Sequence, residues 1–220
     1  MSADFLAPAL ADQGVDLSSH QLEASRRFLS ELERWNRVHN LTAIEGEKAS
    51  IELHLVDSMA ILPVMRAYLS KSGAQIADLG SGGGLPAIPI AIAEPTWTIT
   101  LIEAVRKKAA FLQHTKGSLK LNNIEVYGDR VERVALLEPG KYDAVISRAF
   151  TSLARFLELA RPFLKPSGLV FAMKSKRADE EMRAVSTEYW QLLADHLLVI
   201  PGLAAERRLL VYAPVRKSPL

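Results

Sequence analysis

The chain has 220 residues, of which 49% are hydrophobic, and its formal net charge is +2. This length supports one good core, and no apolar run approaches the roughly 18–20 residues that span a bilayer. The absence of cysteine excludes disulfides, thiolate metal sites and a cysteine nucleophile. Residues 1–17 are predicted to be a loose lead-in. Because Asp4 and Asp12 interrupt them and no basic start precedes them, they do not resemble a signal peptide, and a cytoplasmic location is expected.

The residues after this lead-in predict a small helical subdomain. Ser18 followed by Gln21 is a capping-box pattern, which marks the start of a helix. Apolar residues then recur at helical spacings, at Leu22, Phe28, Leu29, Leu32, Trp35 and Val38. Two further helices are predicted from about Glu47 to Leu55 and from Ser58 to Leu69. Residues 18–72 are therefore expected to form an N-terminal helical subdomain.

Residues 73–220 alternate between predicted strands and helices. The strands are Gln75–Leu79, Thr98–Ile102, Ile124–Tyr127, Tyr142–Ser147, Leu169–Met173, about Leu197–Pro201 and Arg207–Ala213. The helices are Leu85–Ala93, Arg106–Lys120, Leu153–Phe163 and about Ala178–Asp195. Short, continuously apolar strands are typical of a parallel sheet covered by helices on both faces. The brief connection at residues 202–206 predicts that the last two strands are antiparallel, in a Rossmann-like sheet of seven strands.

A glycine-rich turn follows the first predicted strand. Asp78, Gly80, Gly82 and Gly84 form the pattern D-x-G-x-G-x-G, in which glycines let the backbone approach a ligand closely. A dinucleotide fingerprint would need a third glycine at Leu85, so a nicotinamide dehydrogenase is disfavoured. The pattern resembles that of class I methyltransferases that use S-adenosylmethionine (SAM). A carboxylate at the strand end suits the ammonium of the methionine portion, whereas it would repel a pyrophosphate.

Acidic residues after the next two strands complete the predicted cofactor site. Glu103 ends the second strand, close to the position expected for an acid that binds ribose hydroxyls. The alternative for Glu103 is a simple cap on the following helix. The loop after the third strand, residues 129–132, is expected to lie near the adenine.

The residues disfavour two classes of methyl acceptor, C5 of pyrimidines and exocyclic amines. The covalent route to C5 of pyrimidines needs a cysteine, and exocyclic-amine methyltransferases carry an Asn/Asp-Pro-Pro-aromatic turn where this chain has Ser147-Arg148-Ala149-Phe150. Guanine N7 carries a lone pair and no proton at neutral pH, so its methylation requires positioning and no general base. Arg148 and Lys174 end two neighbouring strands, where cations suit a nucleic-acid acceptor.

Five stretches carry a resemblance when they are taken in this order: Asn40-Leu41-Thr42-Ala43-Ile44, His54-Leu55-Val56-Asp57-Ser58, Asp78 to Pro86, Ser147-Arg148-Ala149-Phe150 and Ala172-Met173-Lys174. Together they resemble the RsmG (GidB) enzymes, a family that methylates guanine N7 in bacterial 16S ribosomal RNA. The resemblance extends from about Leu22 to Ala213. Two positions depart from the family pattern, Ala87 and Ser175, where the family commonly has glycine.

The resemblance implies roles for particular residues. Gly80 and Leu85 would contact SAM, Glu103, Ala104 and Val105 would lie at the ribose, and Val131 and Glu132 would line the adenine pocket. Arg148 would face both the methionine portion and the acceptor, with Lys174 as a second catalytic residue and with His54 and Asp57 near the cleft. The implied partner is 16S rRNA or the small ribosomal subunit, and the protein is expected to be a monomer without metal or membrane attachment.

Two alternatives stay open from the residues. One is a SAM-dependent methyltransferase that acts on another RNA or on a small molecule, for which weak salt dependence of activity is expected. The other is a non-catalytic RNA-binding protein on the same fold, against which Glu103 beside an intact glycine turn argues.

Overall fold

The structure, a computed structural model, describes residues 6–39, 41, 48–69, 72–148, 150–200, 202–203 and 206–215. Within them the helices are α1 (Leu6–Ala11), α2 (Ser19–His39), α3 (Lys48–Met59), α4 (Leu62–Tyr68), α5 (Ala87–Ala93), α6 (Arg106–Leu119), α7 (Val131–Leu137), α8 (Leu153–Ala160) and α9 (Ala178–Arg183). The strands are β1 (Gln75–Leu79), β2 (Thr98–Ile102), β3 (Ile124–Tyr127), β4 (Tyr142–Arg148), β5 (Leu164–Lys174), β6 (Trp190–Leu198) and β7 (Arg207–Pro214).

The strands form one twisted layer in the order β3-β2-β1-β4-β5-β7-β6. Strands β1 to β5 pair in parallel, and β7 is antiparallel to both β5 and β6. The predicted seven-stranded sheet with an antiparallel last pair is therefore confirmed. The chain order reverses between β1 and β4, which is the point where open α/β sheets bind ligands beyond their strand ends.

Side chains on the two faces of the sheet belong to two separate cores, because successive residues of a strand point to opposite faces. On one face Ile76 and Ile146 share a core with Phe28 of α2, Met59 of α3 and Phe111 of α6. On the other face the sheet packs against α7 and α8. The N-terminal helices thus pack directly on the sheet, which brings α3 to the strand ends of β4 and β7.

The capping box at the start of α2 is confirmed and has a second function. The Ser18 amide donates to Gln21 Oε1 at 2.9 Å, and the Gln21 amide donates to Ser18 Oγ at 3.3 Å. Gln21 Nε2 also donates to the carbonyl oxygens of Ile92 and Ala93 at 2.9 and 3.0 Å. The same side chain therefore caps α2 and satisfies the last carbonyls of α5, the helix that follows the glycine turn.

The predicted lead-in is more ordered than expected. It contains helix α1, in which Leu6 and Leu10 are buried against the core, and Val15 after it is buried as well. One short helix offers too few turns for its apolar spacing to be recognised in the sequence, so only its packing defines it.

The predicted long helix from Ala178 to Asp195 is wrong. Helix α9 ends at Arg183, and strand β6 begins at Trp190. The segment is rich in Glu, Leu and Ala, which favour helix, but from Trp190 to Leu198 its backbone pairs antiparallel with β7. Strand propensity depends on such partners more than on the residues themselves.

Part of the quoted motifs lies outside the described residues, namely Asn40, residues 42–44 and Ala149. In the part of the chain that the structure does describe, no helix combines the length and apolarity of a membrane crossing.

Candidate functional site

The glycine turn after β1 has a backbone that only glycine adopts without strain. Gly80, Gly82 and Gly84 have φ values of 72°, 55° and 81°, in the left-handed region. The Gly80 amide donates to the carbonyl oxygen of Ile102 at 2.9 Å, which fixes the turn to β2. On its other side Phe150 covers the turn so closely that a Cβ at Gly80 would lie 2.2 Å from Phe150 Cδ2.

Asp78 lies at the end of β1 directly before this turn. It is 1% exposed, and its Oδ2 has no hydrogen-bond partner among the described residues. Burial raises the pKa of this carboxyl to about 7, and the Ser81 hydrogen bond and the Arg148 charge counteract that rise only in part. A buried acceptor without a donor is costly for a fold. Asp78 is therefore suited to receive a cationic donor from a ligand.

Glu103, at the end of β2, holds the turn to the start of α6. Its Oε2 accepts the amide of Gly82 at 2.9 Å, and its Oε1 accepts the amide of Val105 at 2.8 Å. Val105 is the residue that precedes α6, so the bond to its amide agrees with the hypothesis that Glu103 caps this helix. The position of Glu103 beside the glycine turn is also compatible with the hypothesis that it binds a cofactor. Each carboxylate oxygen keeps a further lone pair for a ligand hydroxyl.

A cavity of about 440 Å3 opens above these residues. It is lined by Gly80, Gly82, Ile102, Glu103, Ala104, Val105, Lys108, Arg130, Val131, Glu132 and Phe150. The structure thus brings together most of the residues predicted to bind the cofactor, although that binding role stays a prediction. Four predicted residues do not line this cavity. Asp78 is buried at the end of β1, Gly84 packs against Ile88, and Leu85 is buried in the core. Arg148 lines a different cavity.

A second cavity, of about 430 Å3, lies beyond the ends of β4, β5 and β7. It is lined by His54, Arg148, Phe150, Thr151, Met173, Lys174, Ser175, Glu181 and Arg207. We call these two spaces the glycine-turn cavity and the basic cavity. Phe150 lines both of them, so its ring stands at the boundary between a site for a cofactor and a site for an acceptor.

A buried carboxylate holds two arginines on the wall of the basic cavity. Asp57 of α3 is fully buried, and its Oδ2 accepts Arg148 Nη1 at 3.2 Å. Arg207 Nε donates to Oδ1 and Oδ2 of Asp57 at 3.1 and 3.2 Å. Burial lowers the pKa of Arg148, while Asp57 raises it; arginine stays charged throughout the physiological range. The cluster therefore ties α3, β4 and β7 together and presents two cations to the cavity.

Lys174, at the end of β5, has contacts that differ from those of a free catalytic lysine. Its Nζ donates to the Thr151 carbonyl and to Glu181 Oε2, each at 2.8 Å. These bonds join the loop after β4 to α9, and only 9% of the Lys174 side chain is exposed. Lys174 lines the basic cavity, and its contacts stabilise the cavity wall; a catalytic role stays a prediction.

His54 lies one turn before Asp57 and also lines the basic cavity. Its Nδ1 is buried and has no hydrogen-bond partner among the described residues. Burial, and next the Arg148 charge, lower the pKa of His54 below its usual 6.5. The imidazole is therefore neutral at pH 7, with one ring nitrogen available to accept a hydrogen bond.

Two residues of the site were missed in the sequence. Phe150 belongs to the Ser-Arg-Ala-Phe motif. Its aromatic side chain directly after the fourth strand could have indicated a place in the site. Arg207 carries no local signal, because its partner Asp57 is 150 residues away in the chain. No cluster of three His, Asp or Glu side chains suited to a metal ion occurs within the described ranges.

Comparisons with known proteins agree with this architecture. The GidB family model, described as rRNA small subunit methyltransferase G, matches residues 21–211. The ribosomal RNA small subunit methyltransferase G of Polynucleobacter asymbioticus is 64% identical over 220 residues, which is 100% of this chain and 99% of that protein. The protein of the same name from Bordetella avium is 40% identical over 210 residues, 95% of this chain and 92% of that one.

Solved structures show the same fold at low sequence identity. TYW2 of M. jannaschii, solved in complex with AdoMet, has a TM-score of 0.50 and 18% identity, and the match covers 71% of this chain and 75% of that one. Together with the strand order, this likeness confirms the predicted class I methyltransferase fold.

Proposed function

Because this chain belongs to the rRNA small subunit methyltransferase G family, we propose that it transfers a methyl group from SAM to N7 of a guanine in 16S ribosomal RNA. The observation that carries the proposal is the pairing of two cavities across Phe150, one at the glycine turn and one lined by arginines. A transferase needs such adjacent sites for its donor and its acceptor. The proposed substrate also places the protein in the cytoplasm.

The residues of the glycine-turn cavity fit SAM. Glu103 suits its ribose hydroxyls, and Val131 offers an apolar wall to its adenine. Asp78 does not line the cavity but is buried directly before the glycine turn, and its unpartnered Oδ2 suits the ammonium. Support comes from TYW2, which was solved with AdoMet. When bound, SAM supplies an electrophilic methyl group on a sulfonium.

The basic cavity fits a guanine that reacts through N7. Since N7 has a lone pair and no proton at neutral pH, the cavity needs to orient the base and exclude water, without a general base. Arg148 lines this cavity and would donate to guanine O6, a common arginine contact, and neutral His54 would accept a hydrogen bond from a base N–H group. Phe150 presents a ring face on which an unstacked base packs, as is usual in RNA recognition.

Methyl transfer to separated RNAs tests the proposal. Purified protein with radiolabelled SAM is expected to label 16S rRNA or small subunits from a strain that lacks the modification, and to leave 23S rRNA unlabelled. Borohydride and aniline treatment is expected to cleave the labelled RNA at one guanine, because that chemistry detects 7-methylguanine. Labelling of 23S rRNA alone, an aniline-resistant product, or unlabelled RNA at saturating SAM would contradict it.

The affinity for SAM is expected to depend on pH through Asp78. Its carboxyl has a pKa of about 7 and pairs with an ammonium only when ionised, so affinity rises with pH until about that value and then levels. Between about pH 7.5 and pH 5.5 the affinity should fall by roughly one order of magnitude, as one proton must be released on binding. Calorimetry over this range measures it, and a flat profile would show that Asp78 does not hold the ammonium.

A further inference from the structure

Arg207 is a charged residue of the basic cavity for which the reaction chemistry gives no role. Its guanidinium shares the Asp57 carboxylate with Arg148, and its side chain is 20% exposed, similar to the 19% of Arg148. One arginine would already balance the charge of Asp57. The second leaves an excess positive charge on the cavity wall, and its proximity lowers the pKa of Arg148.

The other charges of this cavity do not neutralise that excess. Lys174 and Glu181 form an ion pair at 2.8 Å, and His54, with its lowered pKa, is neutral at pH 7. Asp78 lies under the glycine turn and does not line this cavity. An anion is therefore the group that would complete the wall.

Resting on the proposed function, we propose that Arg207 binds an RNA phosphate beside the target guanine and that Asp57 is the residue that positions it. Arg207 begins β7 and lines the basic cavity, so a phosphate bound to it would lie beside a base that enters this cavity. Asp57 binds Nε and the Glu206 carbonyl binds Nη1 at 3.3 Å, which orients the guanidinium plane and leaves Nη2 for a phosphate oxygen. Phosphate contacts of this kind fix the register of a nucleic acid.

The neighbouring residue in the same strand offers a matched control. Arg208 points to the opposite side of β7 and is held by Asp179 at 2.6 Å and by Asp195. Its side chain is 15% exposed, close to the value for Arg207. Arg208→Gln therefore removes a similar ion-paired arginine from the same strand, away from the basic cavity.

Methyl-transfer kinetics on 16S rRNA from a strain lacking the modification, at several salt concentrations, test the proposal. Arg207→Gln is expected to raise KM for RNA about tenfold with unchanged SAM affinity, and to reduce the slope of log(kcat/KM) against log[salt] by about 0.7, the value for one phosphate contact on a single strand. Arg207→Lys should recover most of the slope, since lysine also binds phosphate as a point charge. Arg208→Gln should change neither quantity.

Asp57→Asn tests the positioning role. It is expected to raise KM for RNA as Arg207→Gln does, and the double variant should have the salt slope of Arg207→Gln alone.

A wild-type KM and slope for Arg207→Gln, or equal losses for Arg207→Gln and Arg208→Gln, would overturn the proposal. If Arg207→Gln does not fold, the double variant decides, because it loses Asp57 and Arg207 together and so keeps the net charge of the cluster: a slope reduced by about 0.7 supports a phosphate contact, and a wild-type slope opposes it. A wild-type protein that methylates no RNA would refute the proposed function instead.

Discussion

Replacing Gly80 by aspartate is expected to lower the affinity for SAM by at least about a hundredfold, or roughly 2.7 kcal/mol. At a φ of 72° any side chain is strained, and a Cβ at this position would lie 2.2 Å from Phe150 Cδ2. The new carboxylate would also stand where the carboxylate end of the methionine portion is proposed to bind. Calorimetric titration of SAM into the variant measures the loss.

Gly73→Asp is the control for this substitution. Gly73 has a similar φ of 85°, but a Cβ there has no neighbouring atom within 4 Å. It should cost the strain of a left-handed residue, about 1 kcal/mol of stability, and leave SAM affinity unchanged. Equal affinity of the Gly80 variant and wild type would show that SAM does not bind at the glycine turn.

Asp78→Asn is expected to weaken SAM binding about a hundredfold near pH 7.5 and, at the same time, to stabilise the cofactor-free protein by about 1–3 kcal/mol. The variant loses the charge that pairs with the ammonium, and it also removes a buried ionised group whose Oδ2 has no partner. Unfolding by denaturant, with and without SAM, measures both effects.

The sign of the stability effect follows from the pKa. Since the folded pKa of Asp78, about 7, lies above the ordinary 3.8, the folded state holds its proton more tightly than the unfolded state does. The wild type therefore loses stability as pH rises from about 4 to 7, so the advantage of the variant should grow over that range and then stay constant. Asp143→Asn is the control: it removes an ion pair with Lys165 at 2.8 Å and should therefore destabilise the protein. A less stable Asp78 variant at pH 7.5 would contradict the argument.

The central strands were predictable because each is a run of consecutive, mostly apolar residues that are buried. The predicted bounds of β1, β2 and β3 match the structure, since each is a short apolar run covered on both faces. Strand β6 was not predictable in the same way. It lies at the edge of the sheet, where most of its side chains are exposed or only partly buried, so it has no continuous buried run. Its conformation depends on antiparallel pairing with β7, which the residues of β6 do not indicate by themselves.

The two cavities also differ in how far their lining could be predicted from the sequence. The glycine-turn cavity is built largely from residues that directly follow β1, β2 and β3, so a motif and a strand order were sufficient to propose its lining. The basic cavity joins α3, the ends of β4 and β5, and the start of β7. Only the three-dimensional packing shows that Asp57 meets Arg207, whereas Arg148 stood out because it follows a recognised strand.

The ion pair between Asp57 and Arg207 also affects the order in which the two cavities form while the chain is being synthesised. Residues that line the glycine-turn cavity have all been synthesised once Phe150 has been added, but the basic cavity also needs Arg207, which is added 57 residues later. Contacts between residues so far apart in the chain form late, because a long loop must close first. A nascent chain thus gains the means to hold its cofactor well before it can hold a nucleic acid, and the competence to modify RNA arrives with the last strand to join the sheet.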